Sequence, residues 1–372
     1  MKKVLFVFGT RPEAIKLAPV IRVFRDSAEF ETRICVTAQH REMLDQVLDF
    51  FSIVPDHDLS IMQPGQSLAD LTANALTAIA PVLKSEKPDL VFVQGDTTTV
   101  LVTALAAYYQ HIPVAHVEAG LRSFDKLSPF PEEINRKLTT AIADLHFAPT
   151  KAAAKNLAAE GIKENVYVTG NTVIDALLHG LEILDRQEKD YGKEEFSFLK
   201  PGRRLVLITC HRRESFGEPF AEICRAIGEL ASGFPDVVFV YPVHLNPNIR
   251  EHAGKYLSDR QNVFLIDPVP YPQLIWLMKR SHMVLTDSGG IQEEAPTLGK
   301  PVLVLREVTE RQEGIEAGTA KLVGRDFDAI VDESRKLLTD EYAWGRMANA
   351  VNPYGDGKAS EQILGIVRRW IR

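Results

Sequence analysis

Short apolar runs rich in Val, Ile, Leu and Phe recur along this chain, each separated from the next by a longer stretch whose apolar residues return every three or four positions. The runs suit strands buried on both faces and the intervening stretches suit amphipathic helices. Their alternation predicts parallel sheets covered by helices on both sides. In a first series, strands are predicted at 4–8, 32–37, 90–94, 114–118, 145–148 and 166–169. Residues 185–203 then turn polar, with Gln187-Glu188-Lys189-Asp190 and Pro201-Gly202, and predict a boundary or a solvated linker. A second series places strands at 205–209, 237–241, 263–266, 283–286, 302–305 and 321–323. The turn-rich run Asn352-Pro353-Tyr354-Gly355-Asp356-Gly357 precedes a last helix at 359–370, whose Ile363, Val367, Trp370 and Ile371 form one apolar face. The expected fold is α/β: two Rossmann-like, doubly wound domains facing a central cleft. One spans 1–170 with 353–372 returning to it as the last helix, and the other spans 171–352. Such sheets bind ligands just beyond the carboxyl ends of their strands, so the chemistry is sought there.

Composition agrees with this division, since 372 residues exceed the usual size of one hydrophobic core. Apolar residues at 45% and charged residues at 25% fit a globular enzyme rather than a disordered or membrane chain. A net charge of −7 without a Lys/Arg block argues against nucleic acid or anionic membrane as partner, so any anion site must be local. Cys35, Cys210 and Cys224 lie far apart in apolar surroundings and are expected to be buried thiols. The apolar run that opens the chain is short and ends at Gly9-Thr10-Arg11-Pro12, which predicts a first strand rather than a signal sequence. With no apolar run of bilayer-spanning length, the expected location is cytoplasmic and reducing.

After the predicted strand 283–286 comes Asp287-Ser288-Gly289-Gly290-Ile291-Gln292-Glu293-Glu294. Two glycines allow a sharp turn and close approach to the amides that open a helix, Ser288 stands at the capping position, and the helix dipole favours an anion. Glu293 and Glu294 suit sugar hydroxyls beside a phosphate; the competing reading is an ordinary capped helix. After the first strand, Arg11 and Lys16 can reach an anion at a helix start, or stand as surface cations. Asp96 in Gly95-Asp96-Thr97-Thr98-Thr99 is either a helix cap or a functional acid, while Glu118, before the loop Ala119-Gly120-Leu121-Arg122, suits a cap less well. Pro129 and Pro131 stiffen the approach to Glu132, which either points at substrate or pairs with Arg136 one turn on. His211-Arg212-Arg213 follows strand 205–209, with His211 an acid, base or phosphate donor. His244 and Arg311 follow later strands. The sequence contains no Gly-x-Gly-x-x-Gly, no P-loop, no Gly-x-Ser-x-Gly and no metal-spaced His or carboxylate cluster.

These motifs, in this order and spacing, together with Phe8-Gly9-Thr10-Arg11-Pro12-Glu13 and Pro131-Glu132-Glu133, resemble the non-hydrolysing UDP-N-acetylglucosamine 2-epimerases. The resemblance runs from the first strand to Gly357. It implies a glycosyltransferase-B-like pair of domains, a homodimer, a place in polysaccharide biosynthesis, and reversible conversion of UDP-GlcNAc to UDP-ManNAc without NAD or metal. The route it implies is elimination of UDP to 2-acetamidoglucal and re-addition with protonation on the other face of C2. Asp96, Glu118 and Glu132 would then be the acid/base residues, with His211 catalytic or orienting the diphosphate. Arg11, Lys16, Arg136, Ser288, Gly289, Gly290, Glu294 and Arg311 would bind substrate. Leu274 departs from the aromatic residue expected near uracil, and Gln312 from a proline. Gln39, Arg212 and His244 match a second, activating UDP-GlcNAc site seen in some members, whereas Glu42 and Gly65 do not. The alternatives are a hydrolysing relative releasing ManNAc and UDP, a glycosyltransferase that needs an acceptor, and a nucleotide-sugar sensor.

Overall fold

A computed structural model describes the chain apart from residues 38–40, 63–64, 211, 213–216 and 372 and the side chains of 41–42. Thirteen strands occur among the described residues. They are β1 (Lys2–Phe8), β2 (Phe30–Val36), β3 (His57–Asp58), β4 (Leu90–Gln94), β5 (Val114–Val117), β6 (Leu145–Ala148), β7 (Val166–Val168), β8 (Arg204–Thr209), β9 (Val237–Pro242), β10 (Val263–Ile266), β11 (Met283–Thr286), β12 (Val302–Val304) and β13 (Ala320–Leu322). They form two sheets, ordered β3-β2-β1-β4-β5-β6-β7 and β10-β9-β8-β11-β12-β13. Every pairing is parallel. Predicted and observed strands agree to within two residues at each end, except that β3 has no counterpart in the sequence reading. Its two residues pair with Cys35 and Val36 and are too short to show any periodicity.

The chain divides into two compact units, Met1–His179 with Tyr354–Arg372, and Gly180–Pro353. In the first, β1 and β4 lie side by side at the centre, and Phe6 stacks on Phe92 with ring centroids 4.5 Å apart while Phe24 packs edge-on against both. The helix Ala359–Trp370 belongs to this unit. Its first two amides donate to the buried Asp175 carboxylate, at 3.3 Å from Ala359 and 2.8 Å from Ser360, which caps the helix with a side chain remote in sequence. In the second unit, Val206, Ile208, Phe239, Tyr241 and Leu285 are buried against Phe220, Ile223 and Ile227 of the helix Glu218–Gly233.

The polar stretch 185–203 is not a solvated linker throughout. Phe196 is buried and packs on Trp276 at 5.6 Å, and Phe198 stacks on Phe264 at 4.1 Å, so its aromatic residues fasten it to the second unit. The charged residues dominate the local pattern, but two rings with partners far along the chain decide the packing.

In each sheet the strand order reverses at one place, between β1 and β4 in the first and between β8 and β11 in the second. Connections leave to opposite faces there and open a crevice beyond the strand ends. The segments at these points are 9–16 and 95–99 in one unit, and Cys210, Arg212 and 287–290 in the other. Among the described residues no helix is long and apolar enough to cross a membrane.

Candidate active site

At the carboxyl edge of the first sheet, the helix Arg11–Arg25 starts straight from β1 with Pro12 in its first turn. Arg11 opens it and is half-buried. One turn on, Lys16 forms an ion pair with Glu118 at the end of β5. Their side chains are 13% and 8% exposed, which shields the pair from the screening that weakens surface bridges. Glu118 holds φ at +67°, a left-handed conformation that costs a non-glycine residue energy and is tolerated where the surrounding structure imposes it. Next to it, Gly120 at φ +89° has no room for a side chain, because a Cβ would stand 2.3 Å from the Ala153 carbonyl oxygen.

Asp96 lies on the turn after β4. Its carboxylate takes a fork from Arg136, with Nε at 2.9 Å and Nη2 at 2.7 Å, and its carbonyl accepts from Asn135 Nδ2 at 2.9 Å. Arg136 also donates through Nη1 to the fully buried Glu133 at 2.9 Å. Burial disfavours the guanidinium charge, but Asp96 and Glu133 outweigh it and hold the group more firmly protonated than usual. Glu133 in turn accepts the amides of Ser123 at 3.0 Å and Phe124 at 3.2 Å, tying the loop after β5 to the helix Glu132–Ile142. Glu132 begins that helix. Its Oε2 is buried with no hydrogen-bond partner among the described residues, a costly state for a carboxyl oxygen.

The preceding Gly95 carbonyl is held from below by His116 of β5, whose Nε2 lies 2.7 Å away and therefore carries the proton. The ring is wholly buried, its Nδ1 has no partner among the described residues, and burial pushes its pKa down to about 4, so it is a neutral anchor. Arg122 is likewise structural, forked onto Glu160 at 2.8 and 2.6 Å. The sheet thus gathers Asp96, Glu118, Lys16 and Arg136 at one edge, with Glu132 one turn before Arg136.

The second unit builds its site after β11. Thr209 Oγ1 donates to Thr286 Oγ1 at 2.6 Å, and that oxygen accepts the Ser288 amide at 2.9 Å, which fixes the entry to the turn. Ser288 occupies the capping position of the helix Gly289–Glu294, but its hydroxyl makes no capping bond. Arg311 lies over Gly289, where a Cβ would meet its guanidinium carbon at 3.2 Å, and its Nε donates to the buried Glu293 at 2.9 Å. The two adjacent acids therefore divide their work. Glu293 holds an arginine, while Glu294, 5% exposed, accepts from the Tyr271 hydroxyl at 2.9 Å. Arg212 donates its amide to Asp287 Oδ2 at 2.7 Å and its Nε to the Asp287 carbonyl at 3.1 Å, so it braces the same turn. His244 is exposed, and its Nδ1 accepts the Asn246 amide at 3.1 Å, leaving the ring proton on Nε2. His211 and Gln39 lie outside the described residues.

Several residues around these sites have no role assigned from the sequence: Glu13, Glu133 and Asp287, which stand in its motifs, and His116, Asn135 and Tyr271. Only Glu13 carries a local signal, as the third helical residue after Thr10 in a capping-box pattern. The three cysteines are buried and free, and burial raises Cys35 and Cys224 to about 12, which keeps them as thiols. Among the described residues no group of three or more His, Cys, Asp or Glu is placed to hold a metal ion.

Residues 22–368 match the family model described as UDP-N-acetylglucosamine 2-epimerase. The UDP-N-acetylglucosamine 2-epimerase of Escherichia coli (strain K12) is 53% identical over 365 residues, covering 97% of each chain. That of Salmonella typhimurium is 53% identical over 372 residues, covering 99% of each. A crystal structure of UDP-GlcNAc 2-epimerase from Neisseria meningitidis bound to UDP-GlcNAc has a TM-score of 0.91 at 50% identity, covering 99% of this chain and 100% of that one. With two parallel sheets, acids gathered at one switch point and a glycine turn at the other, and a match along almost its whole length, this chain belongs to the UDP-N-acetylglucosamine 2-epimerase family and has its glycosyltransferase-B-like fold.

Proposed function

We propose that this chain interconverts UDP-N-acetylglucosamine and UDP-N-acetylmannosamine by eliminating and re-adding UDP. The observation that carries the reading is the gathering of Asp96, Glu118 and Glu132 with Lys16 and Arg136 at one sheet edge. The C2 proton of the sugar adjoins no carbonyl and is hard to remove directly. As the C1–O bond breaks and its electron pair leaves on the UDP oxygen, C1 gains oxocarbenium character and the C2 proton becomes acidic. A carboxylate takes that proton and the C1–C2 double bond forms, giving 2-acetamidoglucal. The UDP oxygen then adds back to C1 while a carboxyl group on the opposite face of C2 delivers a proton. Neither half of the cycle changes oxidation state overall, so no nicotinamide is required.

Asp96, Glu118 and Glu132 are the proton carriers in this reading. Arg11, Lys16, Arg311 and the turn Ser288-Gly289-Gly290 hold the departing diphosphate, where fixed donors stabilise developing charge without reorganising. Glu294 takes ribose hydroxyls, Arg136 serves the sugar side, and His211 orients the diphosphate. The bound UDP-GlcNAc of the Neisseria meningitidis relative supports the substrate. Family resemblance also supports a cytoplasmic homodimer.

The test is incubation with UDP-GlcNAc in deuterated water. UDP-ManNAc should appear and both nucleotide sugars should carry deuterium at C2. Absence of label and of UDP-ManNAc would overturn the proposal, and free ManNAc accumulating in step with UDP would assign the hydrolysing reaction instead.

A further inference from the structure

Glu13 is 2% exposed, and its carboxylate lies against the Gly9–Thr10 turn. Its Oε2 accepts the amides of Gly9 at 3.0 Å and Thr10 at 2.7 Å, as a capping glutamate does. Capping uses one oxygen only. The other, Oε1, turns across to the next strand end and accepts the Thr97 hydroxyl at 2.8 Å. Thr97 is the residue after Asp96, and its Oγ1 also accepts the Val100 amide at 3.3 Å as the cap of the helix Thr98–Tyr109. That hydroxyl proton is thereby committed to Glu13. The turn Gly95-Asp96-Thr97 is then gripped at every residue: His116 on the Gly95 carbonyl, Asn135 and Arg136 on Asp96, and Glu13 on Thr97. Three of these grips come from β5 and the helix Glu132–Ile142 that follows it, and Glu13 reaches the turn from the helix after β1, the one that carries Lys16 to Glu118.

We infer that Glu13 is a positioning residue for the reaction, which holds Asp96 in register with the Lys16–Glu118 pair by fixing the Thr97 hydroxyl, in addition to capping its own helix. This rests on the reading of Asp96 as a proton carrier. The buried Oε1 needs a partner in any case, and the one it takes is the residue next to Asp96; a displacement of about 1 Å at a reacting group costs on the order of a hundredfold in rate.

The experiment compares Glu13→Gln, Thr97→Val, the double variant and Thr97→Ser, with Asp96→Asn as reference, in C2 deuterium exchange and in chemical unfolding. Glutamine keeps the shape and one acceptor oxygen, but its amide nitrogen cannot accept the Thr97 proton. Glu13→Gln and Thr97→Val should each lower kcat by about tenfold to a hundredfold with KM changed less than about threefold, since the fault lies in a group acting in the transition state. The double variant should be no slower than the worse single one, the signature of one shared interaction. Thr97→Ser keeps the hydroxyl and should retain wild-type exchange. The inference is overturned if folded Glu13→Gln and Thr97→Val turn over like wild type while Asp96→Asn is inactive, or if their effects simply multiply. Exchange at wild-type rate in Asp96→Asn would instead remove the catalytic reading of Asp96 itself. Should Glu13→Gln fail to fold, the contrast between Thr97→Val and Thr97→Ser still decides, because equal kcat in both refutes the role.

Discussion

The acids differ in how they are held, and that difference is what mutation should expose. Asp96 is forked by Arg136, Glu118 is paired with Lys16, and Glu132 keeps one oxygen buried without a partner among the described residues. Asp96→Asn, Glu118→Gln and Glu132→Gln should each lower kcat by ~10² or more and leave UDP affinity nearly unchanged, as expected of groups acting mainly in the transition state. Turnover and UDP titration on the same preparations check this, and wild-type turnover in all three would refute the assignment. His116 provides a stability test. Burial holds its folded pKa at about 4, below the unfolded value near 6.5, so the unfolded chain binds the proton first as pH falls. The stabilisation is complete above pH 6.5 and is lost as pH drops towards 4, by about 3 kcal/mol for this group. Urea unfolding of wild type and His116→Gln at pH 5 and pH 7 should show a smaller pH dependence in the variant, which can still donate to the Gly95 carbonyl.

Among the elements, the turns after strands carry more of the function than the strands do. The turn after β5 joins Glu118, strained at φ +67°, to Gly120 at φ +89°, and the second of these is set by packing against the helix Lys151–Ala159. Gly120→Ala should destabilise the fold by about 2–4 kcal/mol, combining a left-handed backbone with a clash against a carbonyl oxygen that cannot easily retreat. An unfolding midpoint equal to wild type would show that the turn can shift. The turn after β11 is less crowded. At Gly289 the nearest atoms to an added Cβ belong to the Arg311 guanidinium, the far end of a flexible side chain. Gly289→Ala should therefore fold nearly as well as wild type while moving Arg311 and weakening UDP binding by about tenfold, equivalent to ~1.4 kcal/mol. Calorimetric titration with UDP separates the two effects.

At the scale of the whole molecule, two units with separate cores are assembled from one chain that leaves the first, builds the second and returns through Tyr354–Arg372. The return is anchored by Asp175, which caps the last helix, and by Arg368 Nη2, which donates to Ser27 Oγ at 3.1 Å. A ligand that binds only the folded protein raises its stability by mass action. UDP at about a hundred times its Kd should add about 2.7 kcal/mol and raise the thermal midpoint. No shift at saturating UDP would count against nucleotide binding by this chain.

The amino-acid sequence by itself determined the alternation of strands and helices, the two-sheet architecture, and the presence of acids and a glycine turn at strand ends. Each of these is written in short-range pattern: runs of β-branched residues, helical periodicity, and residues that permit sharp turns. The tertiary structure alone decided how neighbouring residues of like chemistry divide their roles. Glu293 grips Arg311 while Glu294 meets Tyr271, Glu133 is buried beneath Arg136 while Glu132 opens the helix, and Arg122 serves packing where Arg136 serves Asp96. A helix turns by about 100° per residue, so adjacent acids face different surroundings. Apart from Arg136, which follows Glu133 by three residues on the same helix, their partners lie on segments distant in the chain, and only the tertiary fold brings those partners within reach.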